Sequence, residues 1–353
     1  MAKILQKARL GDATYMAEGA MKVPLNMCME AAREESEMVI FGAVDEVLAK
    51  TKVKCSEIGI LIVNCTVFNA VPSFTSIIVN RYKLKEDIRS YNICGMGCSA
   101  GLRAIGLAKH LLQGHKYTCA LIVSTENTTS GIYTGVDSSK FLVNCIFRVG
   151  GSAILLSNKP SHRKSSKYEL LHTHTASSEV SYKSIFREED AQGITGITIN
   201  KDLLIAANHA IKQNLKVLGF LILPLSEQFR FLKNHIITRL LAKIQPYIPK
   251  FNTSVEHFLP HVGGKPVLDK LQKNLGFSDE DMEASVMTLH RFGNTSSSSV
   301  WYALAYAEAK DRVNKGDRVW HISVAVWFGV LSGMLGLLMR KTIHGWRILM
   351  IIL

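Results

Sequence analysis

No Cys-x-x-Cys pair occurs anywhere in this chain, although it holds 7 cysteines in 353 residues. They form an odd set confined to the stretch from Cys28 to Cys145. That excludes a disulfide framework and a zinc ribbon, and it suits a reducing compartment. Long Lys/Arg blocks and recognised nucleic-acid motifs are also missing. The basic residues are scattered, as in His162-Arg163-Lys164 and Arg340-Lys341, so no nucleic-acid partner is expected. The first twenty positions mix Lys3, Lys7, Arg9, Asp12 and Glu18 with apolar residues, so they lack the apolar centre of a secretory signal. One late stretch has no charge at all: from Val319 to Met339 there is no Asp, Glu, Lys or Arg. It is long enough to contact or span a membrane. Its first part, Val319 to Val326, also reads as a buried strand, and that is the preferred reading.

What is present describes a globular protein. Hydrophobic residues make up 47% and charged residues 20%, enough for a sizeable core in one large domain or two ordinary ones. The formal charge of +13 implies attraction to something anionic, such as a membrane surface or a phosphate-bearing molecule.

Short apolar runs alternate with helix-period segments. Helices are predicted over Ala31 to Lys50, Phe74 to Asn80 and Leu102 to Gln113. Buried strands are predicted at Ile58 to Val63, Cys119 to Ser124 and Gly150 to Leu156. After a polar link (Ser157 to Ser166) come a strand at Tyr168 to Thr175 and a surface excursion at Ser177 to Gln192. Helices follow at Asp202 to Gln213 and, on the surface, Gln228 to Ile248. The order of the first half then returns: His257 to His261 before a turn, a helix over Lys265 to Leu275, a strand at Met287 to Phe292, a turn, and a helix over Ser297 to Lys310. This alternation indicates an α/β layer structure. The expected division is residues 1–165, residues 166–330, and an apolar tail at residues 331–353.

Three turns carry the chemistry. In Asn92-Ile93-Cys94-Gly95-Met96-Gly97-Cys98-Ser99-Ala100-Gly101, the glycines allow tight or positive-φ backbone just before a helix. Cys98 then sits where the helix N-terminus favours a thiolate, an activated nucleophile. Most free cysteines are core fillers, and Cys94, Cys119 and Cys145 are read that way. His257 and His261 are four apart, but Pro260 between them opposes a helix and no acidic third ligand stands nearby, so no metal is expected. His261 and Asn294 each follow a predicted strand and precede a helix, the place where α/β sheets meet ligands. Asn294 could equally serve as a helix N-cap. A Cys, a His and an Asn from separate turns suit two reactions, thioester hydrolysis and carbon–carbon condensation through an acyl-thioester.

The Cys98 stretch closely resembles the plant 3-ketoacyl-CoA synthases, the condensing enzymes of very-long-chain fatty acid elongation. So do Ser124-Thr125-Glu126-Asn127, Asn144-Cys145-Ile146-Phe147-Arg148-Val149-Gly150-Gly151, Pro246-Tyr247-Ile248-Pro249 and His290-Arg291-Phe292-Gly293-Asn294-Thr295-Ser296-Ser297-Ser298-Ser299. The resemblance implies a thiolase-like fold of two similar α/β halves packed in αβαβα layers. It implies that Cys98 accepts the acyl group and that His261 and Asn294 complete the triad, with His172, His257 and His290 as further histidines tied to activity. Acyl-CoA and malonyl-CoA would be substrates, with no separate cofactor. A homodimer, other elongase subunits and the cytosolic face of the endoplasmic reticulum membrane are likewise implied. The family begins with two membrane helices, which this chain lacks. Where members continue past the equivalent of Asp317-Arg318-Val319-Trp320 into a Gly-rich loop, this chain reads His321-Ile322-Ser323-Val324-Ala325-Val326-Trp327-Phe328-Gly329. That departure carries the alternative reading, a relative that binds acyl-CoA or pairs with an intact synthase without condensing.

Overall fold

The computed structural model describes residues 2–177, 184–200, 202–240, 247, 249, 251, 254–324, 333–341 and 348–349. The first half runs α1 (Ala2–Ala8), α2 (Glu18–Met21), α3 (Met29–Thr51), β1 (Ile58–Asn64), α4 (Phe74–Tyr82), β2 (Arg89–Ile93), α5 (Ala100–Gly114), β3 (Cys119–Thr125), α6 (Phe141–Ile146) and β4 (Gly151–Ser157). The second runs β5 (Tyr168–Ser177), β6 (Ile185–Glu189), β7 (Thr195–Ile199), α7 (Asp202–Ile222), α8 (Leu225–Leu240), β8 (His257–Pro260), α9 (Lys265–Leu275), α10 (Asp279–Phe292), α11 (Ser299–Ala309), β9 (Arg318–Val324), β10 (Gly333–Lys341) and β11 (Ile348–Leu349).

Nine of these strands form one sheet in the order β2-β1-β3-β4-β11-β5-β10-β9-β8. β1 is parallel to β2 and β3, and β4 is antiparallel to β3. In the other half β8 and β9 are parallel, and β10 is antiparallel to β9 and β5. β1 and β3 are apolar almost throughout because helices cover both of their faces. Ile40, Val44 and Val47 of α3 pack with Leu61, Leu121 and Val123 on one side. On the other, Leu102, Ile105 and Ala108 of α5 join Trp301, Leu304 and Ala307 of α11 in a central core. A third cluster, with Leu268 and Leu271 of α9, Met282 and Leu289 of α10, and Trp320 and Ile322 of β9, closes the far side. The result is the layered α/β arrangement of two similar halves.

The starts of α5 and α11 meet closely at the centre. A Cβ on Gly101 would stand 2.5 Å from the Ser297 carbonyl oxygen, so only glycine lets the two helix starts approach. Asn64 ties them to the sheet: its amide donates to Ser124 Oγ at 2.7 Å, and Ser297 Oγ donates to its Oδ1 at 2.6 Å.

Four expectations change. Met287 to Phe292 is the end of helix α10, not a strand. Ser278 caps that helix in a box with Asp281, the first turn is acidic, and Met282, Ser285 and Leu289 are buried at helical spacing. The excursion after Ser177 contains an antiparallel hairpin, β6 with β7. The helix expected over Asp202 to Gln213 runs on as α7 as far as Ile222. Of the two readings of Val319 to Met339, the preferred buried strand holds for its first part and the membrane reading falls where the run is described: Arg318–Val324 and Gly333–Lys341 are sheet strands. The tail therefore contributes two strands to the sheet, β10 between β5 and β9 and β11 between β4 and β5. Residues 325–332, where the family's Gly-rich loop would fall, lie outside the described residues, as does most of Pro246-Tyr247-Ile248-Pro249. Among the described residues, no helix is long and apolar enough to cross a membrane.

Candidate active site

Cys98 lies in a single 3-10 turn, Gly97–Ser99, that leads into α5. Gly95 and Gly97 take φ of +67° and +52°, the left-handed backbone that glycine tolerates without strain. The Cys98 carbonyl is held by Ser323 of β9, whose hydroxyl donates to it at 2.8 Å. His261 follows β8, and its backbone N–H donates to Ile322 O at 2.7 Å. Asn294 follows Gly293 (φ +70°) at the end of α10. Its backbone bonds to Ile146 and Arg148, and its Oδ1 accepts from Ser296 N at 2.8 Å. With Oδ1 engaged there, the NH2 end of the amide is free to donate to the Cys98 sulfur.

Cys98, His261 and Asn294 thus come from three separate turns and line one pocket with Glu126 and Ser296. The pocket encloses about 1020 Å³ of empty space, its open mouth included. Its walls are largely apolar and include Ile146, Phe147, Ile185, Ile197, Ile199 and Leu203. Three of these belong to the β6–β7 hairpin, which is anchored to the first half. Lys140 Nζ donates to Glu188 at 3.1 Å and to Thr198 at 2.8 Å, and Tyr133 donates to Asp190.

The Cys98 thiol is pushed up to about 12, chiefly by burial. Hydrogen bonds from Ser296, 3.8 Å from Sγ, and from Asn294 pull it down, while the Glu126 carboxylate opposes them. The helix start is therefore not enough to yield a thiolate, contrary to the expectation from position alone: desolvation of the charged form outweighs it. Burial likewise lowers the His261 imidazole to about 3, so it is neutral. Its Nδ1 lies 2.7 Å from Ser299 Oγ, while its buried Nε2 has no hydrogen-bond partner among the described residues. A thiol and a neutral imidazole lining one pocket supply a nucleophile and a candidate base.

Glu126 is buried and organises the floor. Its Oε1 accepts from Thr66 N at 3.0 Å and Val67 N at 2.8 Å, and its Oε2 from Ser296 Oγ at 3.0 Å. Burial raises its carboxyl above the ordinary value against these bonds.

The other three histidines are not brought into this pocket. His257 Nε2 pairs with Asp317 Oδ2 at 2.9 Å at the start of β8. His290 is exposed near the end of α10, with Nδ1 3.2 Å from Arg9 O. His172 lies half-buried on β5, opposite Leu338 of β10, and its pKa is lowered by burial and by Lys109. Sequence reasoning assigned no role to Glu126, Ser296, Ser299 or Ser323. A charged residue closing an otherwise apolar strand was the available sign for Glu126. The serine run after Asn294 was the sign for Ser296 and Ser299.

The fold defines the class first. The structure superposes on the type III polyketide synthase domain of Steely1 from Dictyostelium with a TM-score of 0.73, covering 97% of this chain and 89% of that one at 16% identity. The model of the FAE1/Type III polyketide synthase-like family matches residues 1–241. That of the 3-oxoacyl-[acyl-carrier-protein] synthase III C-terminal region matches residues 252–334. 3-Ketoacyl-CoA synthase 11 of Arabidopsis thaliana is 52% identical over 330 residues, 92% of this chain and 65% of its own length. 3-Ketoacyl-CoA synthase 17 of the same plant is 50% identical over 92% of this chain and 68% of its own. The chain belongs to the 3-ketoacyl-CoA synthase family, and it spans about two thirds of the length of these relatives.

Proposed function

We propose that the chain condenses malonyl-CoA with a long-chain acyl-CoA to give a 3-oxoacyl-CoA two carbons longer, CO2 and CoA. The observation that carries this reading is the convergence of Cys98, His261 and Asn294 on one apolar-walled pocket in a member of this family. Cys98 sulfur attacks the acyl-CoA carbonyl as its proton passes to His261 Nε2, and CoA leaves as the thiol with that proton. Malonyl-CoA then enters and loses CO2. The electron pair of the broken bond moves onto its thioester oxygen, which His261 and Asn294 hold by hydrogen bonds. The enolate carbon attacks the Cys98 thioester, the carbon–sulfur bond breaks, and the sulfur regains one proton drawn from solvent. Apolar walls suit an acyl chain and keep water from the enolate.

His172, His257 and His290 act on this reading through the scaffold, not on the reacting atoms. The family resemblance supports a homodimer working beside other elongase subunits at the endoplasmic reticulum membrane. The exposed apolar stripe of α8, flanked by Arg230 and Lys233, supports contact with an anionic bilayer.

The test is incubation of the purified protein with labelled malonyl-CoA and a long acyl-CoA. The expected result is labelled 3-oxoacyl-CoA, reduced by roughly three orders of magnitude or more in Cys98→Ala. Folded protein that makes no such product overturns the condensation reading. Free acid and CoA without malonyl-CoA consumption would establish a thioester hydrolase instead.

A further inference from the structure

Condensation must return a proton to the Cys98 sulfur, and the pocket makes that demand acute. Burial that pushes the thiol up to about 12 also makes its thiolate a poor leaving group, so a proton donor at the sulfur eases cleavage of the thioester. His261 is engaged elsewhere in that step, holding the enolate oxygen. Asn294 meets the sulfur with an amide, which donates a hydrogen bond but has no proton to give up. Ser296 meets it with a hydroxyl, its oxygen 3.8 Å from Sγ. The backbone of Ser296 is left-handed, φ +57°, a strained conformation for serine, and its N–H is fixed by Asn294 Oδ1 at 2.8 Å. The same hydroxyl oxygen lies 3.0 Å from Glu126 Oε2. Glu126 Oε1 is occupied by the Thr66 and Val67 amides, so a proton taken up by this carboxyl goes to Oε2, facing Ser296. A hydroxyl both accepts and donates, whichever way its proton points at rest. Glu126 Oε2, Ser296 Oγ and Cys98 Sγ therefore form a continuous chain of groups that exchange protons. Burial raises the Glu126 carboxyl above its ordinary value, and the residue lines the open-mouthed pocket, so it can hold a proton and regain one from water.

We propose that Ser296 delivers the proton that the Cys98 sulfur regains in condensation, and that Glu126 refills Ser296 from behind. The inference rests on the condensation reading for its chemistry. As the enolate carbon bonds to the acyl carbonyl carbon, the carbon–sulfur bond to Cys98 breaks and its electron pair goes to sulfur. The Ser296 hydroxyl proton moves to Sγ, and the Glu126 Oε2 proton moves to Ser296 Oγ. The carboxylate left behind takes one proton from solvent, the single proton that the overall reaction consumes. Acylation draws on no such donor, since there the sulfur gives a proton up. The two half-reactions therefore respond differently to a break in the chain.

The test separates the half-reactions. Enzyme is first acylated with a long acyl-CoA alone, the released CoA being measured, and is then given malonyl-CoA for a single turnover. Glu126→Gln keeps an oxygen for the two amides but has no carboxyl proton to give. Ser296→Gly removes the hydroxyl and relieves the left-handed backbone. In each variant, formation of 3-oxoacyl-CoA from the acyl-enzyme should fall by at least about tenfold more than CoA release during acylation, which also reports that the variant is folded. Enolate that fails to displace the sulfur is protonated instead, so the acetyl-CoA share of the malonyl-derived product should rise. The double variant should be no slower than the slower single one, because either change breaks the same chain. Cys65→Ala is the control. Its sulfur lies 3.4 Å from Glu126 Oε1, so this change disturbs the surroundings of Glu126 without touching the chain, and both rates should stay within about twofold of wild type. Equal losses in both half-reactions, no loss in either variant, additive losses in the double variant, or a Cys65→Ala loss as large as that of Glu126→Gln overturns the proposal alone. A wild type that acylates but gives no 3-oxoacyl-CoA overturns the condensation reading, and the proposal falls with it.

Discussion

At the scale of single residues, the site is governed by desolvation. A helix start lowers a thiol's pKa when the thiol meets water, and this was the property legible from the glycines around Cys98. Burial is not legible there, because it depends on Glu126 and the Asn294–Ser296 turn arriving from two distant segments. The consequence is testable through Glu126. Its carboxylate raises the Cys98 pKa while the Ser296 and Asn294 hydrogen bonds lower it. Glu126→Gln keeps an oxygen for the Thr66 and Val67 amides and removes the charge. The pH midpoint for alkylation of Cys98, followed by mass spectrometry of its peptide, should therefore lie below that of the wild type. A midpoint that stays put or rises removes Glu126 from the electrostatics of the thiol.

At the scale of elements, legibility followed local pattern. β1, β3, β4, α5 and α9 could be read because each pairs an apolar period with a punctuating turn. Gly276, for instance, ends α9 in the left-handed region. The error at Met287 to Phe292 came from carrying the first half's plan into the second. There β2 precedes the Cys98 turn, whereas α10 precedes the Asn294 turn, and the capping box at Ser278 was the local signal for a helix. β10 was hidden because an apolar, glycine-bearing run fits a strand or a membrane segment equally well until a partner strand is known. α8 is the element whose exposed face has no partner among the described residues. Leu225, Phe229, Leu232, Ile236 and Leu240 recur at helical spacing and are all exposed, while Arg230 and Lys233 flank them on the sequence wheel. This face should bind vesicles of phosphatidylcholine with phosphatidylserine, more weakly at high salt. Phe229→Asp with Leu232→Asp should lower co-sedimentation by about tenfold or more, since each buried large apolar side chain contributes roughly 1.5–3 kcal/mol. Undiminished binding by that variant would exclude α8 as the contact.

At the scale of the whole molecule, two histidines among the described residues, His261 and His321, are buried and neutral, and His261 alone of the two lines the pocket. His321 of β9 is fully buried beside Trp301, with ring centroids 5.0 Å apart, and neither of its nitrogens has a hydrogen-bond partner among the described residues. Burial lowers it, like His261, from 6.5 to about 3. In the unfolded chain both rings take up a proton near pH 6.5, while in the folded chain they resist it down to about pH 3. The unfolded state therefore binds more protons throughout that window. Stability is fully present above pH 6.5 and is lost as the pH falls towards 3, at about 1.4 kcal/mol per pH unit for each ring. Between pH 6.5 and pH 5 each ring thus removes roughly 2 kcal/mol, a large share of a typical domain's margin. His321→Leu keeps an apolar group against Trp301 and eliminates one of the two uptake sites. Its urea midpoint should fall between pH 7 and pH 5 with a visibly smaller slope than wild type, while the slope at pH 7 and above is unchanged. If both proteins lose stability in parallel over that range, the acid sensitivity resides in other groups and the ring at 321 is not held neutral by its burial.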